Sequence, residues 1–60
     1  MIPGTRVQIP AFYDRWMMGD RFGEVIRVYK ARVGTEMAKV KMDVSGKVCQ
    51  FPLDELTPVD

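Results

Sequence analysis

The sequence contains no histidine, one cysteine (Cys49), one serine (Ser45) and one tryptophan (Trp16). A Cys/His zinc site cannot be assembled from that set, and an internal disulfide needs a second thiol. Most acid–base and nucleophilic chemistry needs a partner group beside the reacting one, so the catalytic inventory is thin. No long apolar run occurs, which argues against a bilayer span or a signal peptide. Neither sign of charge dominates: nine Lys and Arg stand against eight Asp and Glu, for a net charge of +1. Bulk charge therefore selects neither a nucleic acid nor a membrane as partner.

What is present describes a folded chain. Apolar residues make up 47% of the sequence, too many for a disordered segment. Sixty residues allow one domain, spanning 1–60. A domain of that size buries only about 60% of its unfolded surface, and without disulfide or metal this points to self-association. The expectation is a cytoplasmic domain with no cofactor, no metal and no catalytic residue.

Hydrophobic periodicity is that of short strands, punctuated by Gly and Pro. Thr5–Ile9 alternates, with Val7 and Ile9 on one face, and Pro10 ends it. A long connection follows to Arg21, whose pairs Phe12/Trp16 and Tyr13/Met17 allow one helical turn ending at Gly19. Phe22–Lys30 is the strongest strand, rich in β-branched and aromatic residues. Val25 and Val28 cannot share a face of a regular strand, so a bulge, or a bend after Gly23, is required. Met37–Met42 alternates cleanly, with Ala38, Val40 and Met42 inward and Lys39 and Lys41 outward. Asp43–Gly46 reads as a hairpin turn with a left-handed Gly46, returning through Lys47–Phe51. Pro52–Leu56 suits a 3₁₀ turn and Thr57–Val59 a short last strand. The fold class is all-β, with about five antiparallel strands, a long first loop and a core of Val7, Ile9, Val25, Val28, Ala38, Val40, Val48, Leu53 and Leu56.

That order resembles the SH3-like small barrels. The likeness is carried by Gly4–Ile9, Gly23–Val28, Val40–Asp43 followed by Gly46, and the closing Phe51–Leu56. The small stromal barrel of photosystem I, the variable chain of ferredoxin–thioredoxin reductase and the nitrile hydratase β-subunit domain are similar in the opening run and the Gly-x-Val strand. In those families the barrel is a non-catalytic accessory that docks on a larger partner. KOW and Tudor-type barrels, which bind nucleic acid or protein, look alike at the same level. Type II dihydrofolate reductase is also similar, and that likeness implies a homotetrameric pore enzyme built around Gln50 and Phe51. Its Val-Gln-Ile-Tyr pore motif corresponds here to Val48-Cys49-Gln50-Phe51, with Gln displaced by one position and the Tyr hydroxyl missing.

Two surfaces are candidates for function. The long loop offers Phe12, Tyr13, Arg15, Trp16, Met17 and Met18, residue types suited to a protein interface or to a homo-oligomer contact. The same aromatics could instead close over the core. The second surface is a basic strip of Arg27, Lys30, Arg32, Lys39 and Lys41, suited to nucleic-acid phosphates or to a solvated strand face. Asp14 and Asp20, which bracket the loop, are expected to pair with Arg15 or Arg21 and not with a metal. Association through the loop is the preferred reading, and nucleic-acid binding the alternative.

Overall fold

Alternating apolar residues with glycine at the bends give five short strands, and the computed structural model describes residues 2–59. They are β1 (Arg6–Gln8), β2 (Phe22–Lys30), β3 (Glu36–Met42), β4 (Val48–Pro52) and β5 (Thr57–Pro58). A four-residue helix, α1 (Asp14–Met17), lies in the long loop, and a 3₁₀ turn (Leu53–Glu55) precedes β5. The strands form one antiparallel sheet in the order β4-β3-β2-β1-β5.

The Ile9 amide bonds the Arg21 carbonyl at 2.9 Å, the last bond in register with the β1–β2 ladder. Pro10 then prevents further pairing. The register of β2 against β3 shifts between Val25 and Arg27, which leaves Ile26 as the extra residue of a bulge. Val25 and Val28 thereby both turn toward the core side. In the β3–β4 hairpin the Gly46 amide bonds the Met42 carbonyl at 3.0 Å, and Gly46 adopts φ +72°. A side chain is disfavoured at that angle, which is why glycine closes the turn.

The buried core is Val7, Ile9, Val25, Ala38, Val40, Met42, Phe51 and Leu56, with Tyr13, Trp16, Val28, Cys49 and Leu53 packed around it. Val48, expected inside, is instead 52% exposed. Register explains the difference: buried Val40 and Ala38 oppose Cys49 and Phe51, so those two face the core. Val48 opposes Lys41 and shares its outward face. Phe51 and Met42 fill the core in its place.

Candidate functional site

Loop 10–21 owes its shape to local hydrogen bonds. The Tyr13 amide bonds the Pro10 carbonyl at 3.3 Å, and the Trp16 amide bonds the Tyr13 carbonyl at 3.0 Å. The chain leaves α1 through Gly19 at φ +96°, whose amide bonds the Trp16 carbonyl at 3.2 Å. This left-handed exit is the usual way for a helix end to satisfy its last carbonyls.

Side chains then fasten the loop to three other parts of the molecule. The Tyr13 ring meets Phe51 edge-on at 5.1 Å, and its hydroxyl donates to Glu55 Oε1 at 2.5 Å. That bond to a carboxylate, aided by burial, pushes the Tyr13 hydroxyl up to about 12. Trp16 packs against the core, with the Arg21 guanidinium 5.1 Å from its ring centre. Asp20 is the one buried charged residue among those described, 3% exposed. Its Oδ1 accepts from the Ser45 amide at 3.1 Å and its Oδ2 from Arg15 Nη1 at 3.2 Å. The Ser45 hydrogen bonds, and then Arg15, hold the Asp20 carboxyl below its ordinary range. The hairpin turn is clasped from the other side by Arg6, whose guanidinium donates both Nη groups to Asp43. That pairing lowers the Asp43 carboxyl and raises Arg6.

The six loop residues therefore divide. Tyr13, Arg15 and Trp16 are half-buried and hold the loop. Phe12, Met17 and Met18 stand in solvent, at 74%, 84% and 75% exposure. Phe12 touches the Tyr13 ring, 4.8 Å centre to centre, but all three side chains leave most of their surface in water, and burying each fully would gain roughly 1.5–3 kcal/mol.

The five basic residues are also divided. Arg27 on β2 lies directly opposite Lys39 on β3, and Lys41 follows on the same face. Lys39 Nζ sits 6.0 Å from the centre of the Tyr29 ring, and the Tyr29 hydroxyl donates to Gln50 Oε1. Lys30 falls on the other parity of β2, across from Glu36, and Arg32 lies in the exposed turn after β2. The face thus holds Arg27, Lys39 and Lys41, with Glu24 opposite Lys41 as its nearest ladder carboxylate. Like charges directly opposite each other cost stability, so the Arg27–Lys39 pair is an unfavourable element of the sheet.

A groove of about 500 Å³ runs between the loop (Tyr13, Asp14, Arg15) and β4 (Val48–Phe51). Sequence patterning did not indicate it, because it depends on how the loop folds back over a strand far along the chain. Cys49 is half-buried beside it as a free thiol. Gln50 faces outward, bonded to Tyr29, and Phe51 is buried with its ring toward the core, although both border this groove. Among the described residues no three His, Cys, Asp or Glu side chains converge to hold a metal ion. No described helix is long and apolar enough to cross a membrane. Set against family models, curated proteins and solved structures, the chain matches none.

Proposed function

We propose that this chain is a non-catalytic binding and assembly module on an SH3-like barrel, docking on a protein surface or on copies of itself through loop 10–21. The observation that carries the reading is the exposure of Phe12, Met17 and Met18 on a loop fastened by Tyr13, Trp16 and Asp20. A pre-ordered loop loses little entropy on binding, and large apolar side chains on it supply contact area. The reading includes a cytoplasmic setting, in keeping with the lone thiol of Cys49.

The test is light scattering coupled to size-exclusion chromatography over a concentration series, comparing the wild type with Phe12→Ser/Met17→Ser/Met18→Ser. The expected wild-type mass exceeds the 6.9 kDa of one chain, and the triple variant returns to it. A wild type that stays monomeric throughout, with solubility that the three serines leave unchanged, counts against the reading. A second reading, contact with nucleic-acid phosphates, is favoured by the juxtaposition of Arg27 and Lys39. It requires affinity that falls steeply with salt, which an apolar loop contact does not.

A further inference from the structure

The sheet ends at β4. Its ladder partner is β3, and no described backbone group bonds its other side. The hydrogen-bond phase fixes which groups are left over. The Met42 amide bonds the Lys47 carbonyl at 2.9 Å, so the pairs Met42/Lys47, Val40/Cys49 and Ala38/Phe51 exchange the β3–β4 bonds. The amides and carbonyls of Val48 and Gln50 point away from β3, into the groove beside Tyr13, Asp14 and Arg15. Pro52 has no amide and ends the row.

A strand laid on this edge would have fixed surroundings. Residues opposite Val48 and Gln50 fall on the outer face, beside Arg27, Lys39 and Lys41. Residues opposite Cys49 and Phe51 turn inward, toward the Tyr13 side of the groove. The outer face therefore calls for carboxylates, and the inner offers the Tyr13 ring for apolar contact beside Asp14 and Arg15. A second copy's β4 fits poorly: Val48 and Gln50 bring no negative charge, and pairing would set two basic faces side by side. Nucleic-acid phosphates could accept from the cations and the edge amides but offer no donor to the edge carbonyls of Val48 and Gln50.

We propose that the free edge of β4 binds, by strand addition, an extended segment of a partner protein in which acidic and apolar residues alternate. This site goes beyond the loop contact and does not use Phe12, Met17 or Met18. The acidic residues exchange backbone hydrogen bonds with Val48 and Gln50, while their carboxylates face the Arg27–Lys39–Lys41 surface.

The test uses a fluorescent peptide of alternating glutamate and valine, read by anisotropy and by amide exchange at Val48 and Gln50. Two further peptides carry N-methyl groups, one on the glutamate amides and one on the valine amides. Methylating the glutamate amides is expected to weaken binding by about tenfold or more, because only those amides reach β4. Methylating the valine amides leaves binding near its starting value. Gln50→Pro removes an edge donor and is expected to lose about tenfold, whereas Gln50→Ala, which keeps the amide, changes binding by less than about twofold. Should Gln50→Pro fail to fold, the methylated peptides decide the matter on the wild-type chain. No binding of the parent peptide, or equal loss with either methylation, overturns the proposal. So does displacement by oligothymidylate with binding indifferent to methylation, which would assign the basic face to nucleic acid.

Discussion

A Cβ at Gly23 would lie 2.6 Å from Val40 Cγ1 and 2.7 Å from the Lys41 carbonyl oxygen. Val40 is fully buried and stiff about its side-chain torsion, and the carbonyl belongs to the ladder, so neither gives way easily. Gly23→Ala is therefore expected to cost about 1–3 kcal/mol in urea unfolding, by pushing β2 away from β3. Asp20 governs a different property. Its folded carboxyl, like that of Asp43, titrates below the ordinary value, so both contribute stability at neutral pH. That contribution is complete above about pH 4 and is lost as pH falls through the lowered folded values. Thermal unfolding followed by circular dichroism should show the midpoint dropping below about pH 4 in the wild type. Asp20→Asn should melt lower at neutral pH and show a shallower acid limb. Equal limbs for the two proteins would mean that the Ser45 and Arg15 contacts contribute nothing.

Strand β3, between β2 and β4, carries both an inward row of Ala38, Val40 and Met42 and an outward row ending in two lysines. Replacing Lys39 by Glu converts the like-charged pair with Arg27 into an attractive one. Lys39→Glu is expected to raise stability by about 0.2–1 kcal/mol, measured by chemical denaturation at low salt. It should also abolish capture of an acidic strand at β4, so gain of stability and loss of binding would come from one change. At this scale much was readable in advance. The inward row of β3 is a clean period of two, and the Val25/Val28 conflict announces a bulge, as the Val25/Arg27 register shift bears out. β4 was less legible because Val48, Cys49 and Phe51 offer apolar residues on both parities. Only pairing to β3 decides between them, and it favours Phe51. The division of loop 10–21 into anchors and exposed residues was hidden for the same reason. Glu55 and Ser45 lie far along the chain from Tyr13 and Asp20, and no local pattern encodes those meetings.

For the molecule as a whole, the strand at each extreme of the sheet has a different character. β4 borders the loop and the basic face, whereas β5 is a two-residue strand containing Pro58 and lying beside β1. The Val59 amide bonds the Arg6 carbonyl at 2.9 Å, and Val7 is opposite Pro58. The entry to the first strand and the exit from the last are thus neighbours. A circularly permuted chain, with Val59 joined to Ile2 by a short glycine–serine bridge and new ends cut at Val44–Ser45, should retain the native far-ultraviolet spectrum. It should melt lower, since the cut opens the hairpin turn that holds the Ser45 nitrogen against Asp20. A permutant without cooperative melting would show that closure of that hairpin is needed to nucleate the sheet. The same adjacency means that a tether or a fused neighbour joined beyond Ile2 or Val59 leaves the molecule from one corner. Joined at both ends, the molecule would hang from a larger body as a pendant and not sit as a spacer within it.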